Sequence, residues 1–264
     1  MATKPTAAEQ KKRSWRDYSR AFGRAHRRAS IELETSMPLL RHLEELRQRL
    51  FKAFAAVVLT TMISFAISPY LIDYFATPIG GKEALVSIEV TENIAIFMRV
   101  SILSGVVLGM PFIVYQAMRF VIPGLKFQER KVLLLVVPSA TLLFLAGVAF
   151  TWFVMLPVAI PFLTTFLGIT TQVRPSNYFH FITTIMFWIG LSFEMPLITT
   201  FLAKLKIITA QQLASGWRYA IVFIAILAAV ITPTVDPVTM GVVMAPLLCL
   251  YGISVLLAKV VQRR

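Results

Sequence analysis

Glu194 is the residue whose chemistry is most unusual for its surroundings in this sequence. It lies in Gly190-Leu-Ser-Phe-Glu194-Met-Pro196, inside a long apolar stretch. A carboxylate at hydrocarbon depth costs about 2.5–3.5 kcal/mol on insertion scales, so it should face protein or a water-filled cavity. It forms either the polar floor of a concave pocket or, when protonated, a hydrogen bond to a neighbouring helix. Pro196 loosens the helix two residues further on and favours the pocket.

Glu44, Glu45 and Glu129 are acidic side chains next to otherwise basic segments. Glu45 lies four residues from both Arg41 and Arg49. This is the spacing of ion pairs on one helix face, each worth about 0.2–0.5 kcal/mol. The alternative is that these carboxylates receive cationic groups from a partner. Spacing alone favours the intrahelical pairs.

The sequence contains no pattern that indicates catalysis. It lacks GxSxG, HExxH and Walker motifs, and no two aspartates share an apolar stretch. The single cysteine, Cys249, excludes a disulfide framework or a cysteine-based metal site. The three histidines, at positions 26, 42 and 180, are far apart. We therefore expect a protein that is not an enzyme and that uses no metal or cofactor.

The composition places the chain in a lipid bilayer. Of its 264 residues, 57% are hydrophobic and 15% are charged, whereas soluble domains contain about 25% charged residues. The apolar residues are clustered in long runs, as in membrane-spanning helices. The net charge of +13 does not indicate a nucleic-acid partner, because the basic residues flank the apolar runs as the positive-inside rule describes.

Six apolar stretches predict an all-α polytopic membrane protein with six transmembrane helices. They cover approximately residues 51–71, 94–118, 132–156, 178–203, 219–231 and 238–258. A hydrocarbon core of roughly 30 Å needs about 20 helical residues, which the fifth stretch does not supply. It is either a short span or a re-entrant segment. Thr232-Pro233 and Asp236-Pro237 are typical of a tight turn between two crossings and favour the short span.

Smaller patterns describe how these helices begin and pack. Ser36-Met-Pro38 is a helix start, and the leucines that follow it predict an amphipathic helix on the membrane surface. Gly105-x-x-x-Gly109 is a spacing that permits close helix contact but is frequent by chance. Prolines in and beside the spans predict bent helices around a concave cavity. These prolines are at positions 111, 138, 157, 161, 196, 233, 237 and 246.

The distribution of basic residues predicts that both termini are cytoplasmic. With six spans, 23 of the 26 Lys and Arg residues fall on one side, in segments 1–52, 119–131, 204–218 and 259–264. The other side has only Lys82, Arg99 and Arg174. Residues 1–37 contain no signal-peptide core and predict a basic, disordered tail. The six-helix domain is predicted at 38–258 and a short basic tail at 259–264.

Several motifs, in the same order along the chain, resemble the TatC family of the twin-arginine protein export machinery. The first is His42-Leu-Glu-Glu45-Leu-Arg47-Gln-Arg49-Leu50. The others are Tyr115-Gln, Phe120-Val-Ile-Pro123-Gly124-Leu with Glu129-Arg130, Ser192-Phe-Glu194-Met-Pro196, and Thr232-Pro with Asp236-Pro237 and Pro246. The agreement extends from about residue 38 to residue 258. Met118-Arg119 and Thr239-Met240 depart from the family pattern, in which aromatic–small and Ser-Gln pairs are common.

The resemblance implies a receptor that binds the twin-arginine signal peptides of folded proteins on its cytoplasmic face. It implies assembly with single-span TatA and TatB partners, and we also expect further copies of this chain in the complex. Export would be driven by the proton-motive force. The expected location is the bacterial inner membrane, or the thylakoid or mitochondrial inner membrane.

The resemblance also implies roles for individual residues. The signal-peptide-binding residues are Glu45, Arg47, Arg49, Phe120, Glu129 and Arg130. Glu194 corresponds to the acid of the family's concave face, Pro78 to an outer-loop proline, and Asp236 to the acid between the last two spans. A carboxylate binds a guanidinium through two coplanar hydrogen bonds, which lysine cannot reproduce. We therefore expect Glu45 and Glu129 to receive the two arginines of the signal peptide.

A secondary transporter of a small solute is the main alternative. Such a protein would also contain a buried acid and bent helices, but its fold predicts internal repeats and several intramembrane charges. The sequence has one clear intramembrane acid and no repeat at a fixed period. A membrane enzyme is the third alternative and lacks a nucleophile or metal cluster.

Overall fold

The computed structural model describes the backbone of residues 7–121, 133–165, 173–232 and 237–262. Within these ranges, side chains are described from His42 on, except at 121, 133 and 134. Residues 1–51 and residues 52–264 form two compact units. All regular elements in the described ranges are helical, which confirms the predicted all-α class.

The helices follow the predicted order of spans. Those of the first half are α1 (Ala7–Ala76), α2 (Glu92–Val121), α3 (Leu133–Phe150) and α4 (Leu156–Thr165). Those of the second half are α5 (Pro175–Ser192), α6 (Met195–Lys204), α7 (Ala210–Ser215), α8 (Trp217–Ile231) and α9 (Pro237–Gln262). α1 begins inside the segment 1–37 for which a disordered tail is predicted. The domain boundaries and the side of the termini stay predictions.

Five helical segments are long and apolar enough to cross a membrane. They are His42–Ile79, Glu92–Phe120, Leu135–Thr165, Pro175–Lys204 and Pro237–Gln262. The shorter apolar helix Trp217–Ile231 corresponds to the predicted fifth span. The described part of the chain therefore confirms a polytopic membrane protein with five long spans and one short one.

The sequence predicts that the third span ends before Pro157, but in the structure the span continues past this residue. α3 continues through a π-helical turn, Thr151–Met155, into α4, which ends at Thr165. A proline has no backbone N–H and its ring clashes with the carbonyl four residues earlier. The wider π turn places this irregularity just before Pro157 and allows the helix to continue past it.

Small residues bring α1 and α2 into close contact. A Cβ atom built on Gly105 would lie 2.6 Å from the Cα of Thr61. A Cβ on Gly109 would lie 3.0 Å from the Oγ1 of Thr60. Gly105-x-x-x-Gly109 is therefore a helix-packing motif in this protein, although its spacing alone does not establish this.

Hydroxyl groups form a polar seam along the same interface between α1 and α2. The seam joins Ser64 with Ser104, Ser68 with Ser101, and Thr60 with the carbonyl of Gly105. The Ser68 and Ser101 oxygens are 2.6 Å apart, and Thr60 donates to the carbonyl oxygen across 2.7 Å. Since lipid offers no hydrogen bonds, these pairs fix one register of the two helices.

α5 supplies the core of the unit formed by residues 52–264. It packs against α2 and α3, and Ile182, Ile185 and Ile189 on its inner face are fully buried. α5 crosses α3 closely, because a Cβ on Gly147 would lie 2.8 Å from the Cα of Gly190. In contrast, α6 packs along α9. The two halves of the fourth span therefore pack against different neighbours.

Candidate functional site

Glu194 lies at the break between α5 and α6. Pro196 cannot donate a backbone hydrogen bond to the carbonyl of Ser192, so the regular ladder is interrupted there. The Glu194 N–H donates instead to the carbonyl of Leu191, three residues back, at 3.1 Å. The Glu194 carbonyl accepts from the N–H of Ile198 at 2.9 Å and restarts the helix. This local geometry holds the carboxylate inside the protein, where the residue is 5% exposed.

The Glu194 side chain borders an apolar cavity of about 350 Å³ between α2, α3 and α6. The helix α2 supplies Met110 and Val114, α3 supplies Val136 and Ala140, and α6 supplies Leu197 and Phe201. A carboxyl group on an otherwise apolar wall is the arrangement expected for a pocket with a polar floor. The concave form of the whole span bundle stays a prediction.

The Glu194 carboxyl makes no hydrogen bond to any of the residues described. Its Oε1 atom is buried and has no partner. A hydrogen bond to a neighbouring helix, the alternative left open by the sequence, is therefore not formed in this part of the chain. Buried polar atoms are normally paired, so an unpaired carboxyl beside a cavity can accept a polar group from an incoming segment or from water.

Glu45 and Arg49 form the intrahelical pair that their spacing predicts. Within the unit of residues 1–51, Nε of Arg49 donates to Oε1 of Glu45 at 3.0 Å. The Nη2 atom of Arg49 contacts the same oxygen. The two side chains are 31% and 18% exposed, so the ion pair is partly shielded from water.

The neighbouring pair, Glu44 and Arg47, is much more exposed. Nη2 of Arg47 lies 3.8 Å from Oε1 of Glu44, and the side chains are 68% and 60% exposed, respectively. Exposed pairs of this kind contribute little to stability. The two adjacent glutamates thus differ in their environment, although the sequence shows them side by side.

Phe120 lies near the carboxyl end of α2 and is half-buried. Nη1 of Arg119, the preceding residue, donates to the hydroxyl of Tyr115 at 2.9 Å. The Arg119 guanidinium also lies 5.7 Å from the centre of the Tyr115 ring, within the range of a cation–π contact. Glu129, Arg130 and Asp236 lie outside the described residues.

Pro78 lies in the short 3₁₀ helix Thr77–Ile79 that follows α1, and its side chain is exposed. Gly80 ends this turn with a positive φ of 93°, a conformation that glycine adopts without strain. The predicted outer-loop proline is therefore part of a tight corner at the end of the first span.

An ion-pair cluster at the starts of α2 and α5 is not apparent from the sequence. Arg174, just before α5, binds Glu92 through Nε and contacts Glu89 through Nη2 at 2.6 Å. The Glu92 carboxylate is part of a residue only 3% exposed. It also accepts hydrogen bonds from Ser87, the backbone of Ile88, and Ser176, each at 3.0 Å.

The same cluster further stabilises the protonated form of Arg174. The hydrogen bond to Glu92, followed by that to Glu89, raises the pKa of the Arg174 guanidinium above its ordinary value. The partners are 82 positions apart in sequence, so no local spacing signals the contact. The only indication is that a basic and an acidic residue each stand at the start of a helix on the same predicted side.

The chain is similar in sequence to known translocase proteins. The family model for Sec-independent protein translocase protein (TatC) matches residues 41–246. The Sec-independent protein translocase protein TatC of Deinococcus radiodurans is 37% identical over 234 residues, which cover 85% of this chain and 87% of that protein. The chloroplastic TATC protein of Arabidopsis thaliana is 35% identical over 228 residues, which cover 85% of this chain and 67% of that protein.

The fold is also similar to a solved one. A crystal structure of the twin-arginine translocase receptor TatC superposes with a TM-score of 0.75 at 32% identity, covering 84% of this chain and 100% of that chain. A second crystal structure of such a receptor, in DDM, superposes with a TM-score of 0.76, also at 32% identity.

Proposed function

The chain belongs to the TatC family of Sec-independent protein translocase proteins, and from this premise we propose that it is the receptor for twin-arginine signal peptides. As a family member it is a multi-pass membrane component of the translocase. The proposed activity is to bind the signal peptides of folded proteins at the cytoplasmic face and to assemble with TatA and TatB. The complex then exports the cargo with the proton-motive force.

The observation that best supports the proposal is the contact between Glu45 and Arg49. A partly shielded carboxylate that already binds a guanidinium can bind the guanidinium of a signal peptide in the same way. Exchange of one guanidinium for another keeps the Glu45 carboxylate paired, so it avoids the penalty of leaving this partly shielded acid without a cation. Charge-assisted hydrogen bonds of this type are about twice as strong as neutral ones.

We assign Glu45 and Glu129 to the two arginines of the signal peptide. Arg49 orients the Glu45 carboxylate before the peptide arrives, and Arg47 and Arg130 complete the proposed peptide-binding set. The half-buried ring of Phe120 supplies an apolar contact for the peptide. A lysine ammonium group cannot form the two coplanar hydrogen bonds that a guanidinium forms with a carboxylate. Paired lysines should therefore bind these carboxylates more weakly than paired arginines.

Glu194 and its cavity have a separate role in the proposal. The cavity is almost entirely apolar and accepts the apolar part of a membrane-inserted segment, while the unpaired carboxyl accepts a polar group from that segment. Pro78, in the corner after the first span, and Asp236, between the last two spans in sequence, are assigned to the opposite side of the membrane and make no contact with the signal peptide in this proposal.

The experiment is a binding measurement on the full chain in detergent or nanodiscs. A fluorescent signal peptide with paired arginines should bind, and the same peptide with paired lysines should bind at least about tenfold more weakly, a difference of about 1.4 kcal/mol. The Glu45→Gln, Glu129→Gln double variant should lose the preference for arginine. Retained binding of the arginine peptide by that variant would refute the site. Solute uptake into vesicles without peptide binding would instead indicate a transporter.

A further inference from the structure

A groove of about 450 Å³ lies between α2 and α5. α2 contributes Arg99, Leu103 and Val106, and α5 contributes His180, Phe187 and Trp188. Arg99 and His180 are both exposed, so at this position in a membrane they face lipid. Ionisable groups are rare at such positions because they are costly to insert.

The groove changes from polar to apolar with depth. α2 starts at Glu92 and α5 starts beside Arg174, and the ion pair between these two residues places the two helix starts at the same level. Arg99 and His180 follow seven and six positions later, which corresponds to about 9–11 Å of helix.

The remaining lining residues lie deeper in the membrane. Val106 and Trp188 come seven and eight positions after Arg99 and His180, about 11–12 Å further along their helices. Between the two levels, the lining includes Thr183 and Thr184, three and four positions after His180. The Thr183 hydroxyl donates to the carbonyl of Phe179 at 2.6 Å, so it is already paired.

Arg99 carries a positive charge that no described carboxylate neutralises. The predicted outer side of the protein has three basic residues. Lys82 is paired with Asp73, and Arg174 is paired with two glutamates. No carboxylate in the described ranges forms an ion pair with Arg99. Among the described residues, the polar end of the groove thus offers a cation without a carboxylate partner, which suits an anionic ligand.

We propose that this groove binds one anionic phospholipid from the adjacent leaflet. The phosphate contacts the Arg99 guanidinium, which matches phosphate geometry with two hydrogen bonds, and His180 provides a second polar contact. The acyl chain lies along Val106, Phe187 and Trp188. The volume is that of a site for a small molecule, about 300–1,000 Å³, whereas a transmembrane helix would need a longer apolar face without a cation.

Trp188 provides a direct test, because bromine atoms on a lipid chain quench a nearby indole. The full chain would be reconstituted in phosphatidylcholine vesicles that contain a small, equal fraction of brominated phosphatidylglycerol or brominated phosphatidylcholine. The signal of Trp188 is the difference between the wild type and Trp188→Phe. We expect the phosphatidylglycerol to quench it several-fold more than the phosphatidylcholine does. Equal quenching by the two lipids would overturn the proposal.

Three variants distinguish phosphate binding at Arg99 from a general effect of positive charge on this side of the protein. Arg99→Gln should lose the preference for phosphatidylglycerol, and Arg99→Lys, which keeps the charge but not the two coplanar hydrogen bonds, should keep only part of it. Lys82→Gln removes a positive charge from the same side but outside the groove, so it should leave the preference unchanged. Each variant is compared with the wild type by its melting temperature, so that misfolding is not mistaken for lost binding.

Two outcomes contradict the lipid assignment. If Arg99→Gln folds and still prefers phosphatidylglycerol, the guanidinium does not hold the phosphate. If the wild type shows no lipid preference but Arg99→Gln loses a single-span protein that co-purifies with the wild type, the groove belongs to a protein helix. Native mass spectrometry of the detergent-released protein checks the stoichiometry, for which we expect one retained phosphatidylglycerol at this site.

Discussion

Gly105 of α2 lies so close to Thr61 of α1 that a methyl group at the glycine would overlap the threonine backbone, with its carbon 2.6 Å from the Cα. The two helix backbones are therefore in direct contact at this point. Backbone atoms cannot move aside as a flexible side chain can. The contact thus depends on the absence of a side chain at position 105.

We predict that Gly105→Ala destabilises the protein by forcing α1 and α2 apart. Overpacking of this kind typically costs about 1–3 kcal/mol, so the thermal midpoint of helix unfolding in detergent should fall. Gly252→Ala in α9 is the matched control, because nothing lies within 4 Å of a Cβ added there. Equal midpoints for the two variants would show that the close crossing is not needed for stability.

The two adjacent glutamates at the start of the first span should differ in peptide binding. Glu45→Gln should weaken binding of a twin-arginine peptide by at least about tenfold, because a hydrogen bond to a charged group contributes about 1.5–3 kcal/mol. Glu44→Gln should have little effect, because Glu44 is in an exposed pair. Fluorescence anisotropy with both single variants measures this. A larger loss of peptide binding in Glu44→Gln than in Glu45→Gln would assign the binding site to Glu44.

Replacement of Glu194 should reduce transport without reducing the stability of the protein. Glu194→Leu removes a buried oxygen that has no described partner, so the thermal midpoint should stay the same or rise. Export of a twin-arginine cargo by cells that depend on this variant should fall, if the carboxyl serves an incoming segment. Glu194→Gln keeps the shape of the side chain and is the matched control for packing. A lower midpoint for Glu194→Leu would indicate that the carboxyl has a structural partner.

The outer ion-pair cluster should be structural. Arg174→Gln leaves the shielded Glu92 carboxylate without its guanidinium, which is unfavourable for a charge of low exposure. We expect a lower thermal midpoint and faster proteolysis of residues 85–91. Lys82→Gln is the control. Both side chains of the Lys82–Asp73 pair are exposed, so this pair should contribute little to stability. Unchanged proteolysis in Arg174→Gln would exclude a role for the cluster in holding the loop.

The features that follow from local sequence could be predicted. Runs of apolar residues determine where helices cross a bilayer, and a four-residue spacing determines the pair between Glu45 and Arg49. The buried position of Glu194 follows from the cost of a carboxylate in contact with lipid. Each of these depends on neighbours within a few turns of the same helix.

The features that depend on distant residues could not be predicted. The contact between Glu92 and Arg174 joins segments far apart in sequence. Gly105 contacts Thr61 on another helix. The spacing of Gly105 and Gly109 alone therefore did not show whether the two glycines lie at a helix–helix contact. The extension of the third span past Pro157 required a change of helix type at Thr151–Met155, which no single residue signals.

The short helix α8 has a consequence for the surrounding lipid. Its 15 residues form about 22 Å of helix, whereas a hydrocarbon core is about 30 Å thick. One face of α8, with Val222, Phe223, Ile226 and Val230, is exposed, so lipids beside it must compress at a cost of a fraction of a kcal/mol per Å. We therefore expect the two aqueous phases to be closer together beside α8 than beside the five longer spans of the described residues, so that the permeability barrier is thinner there before any cargo arrives.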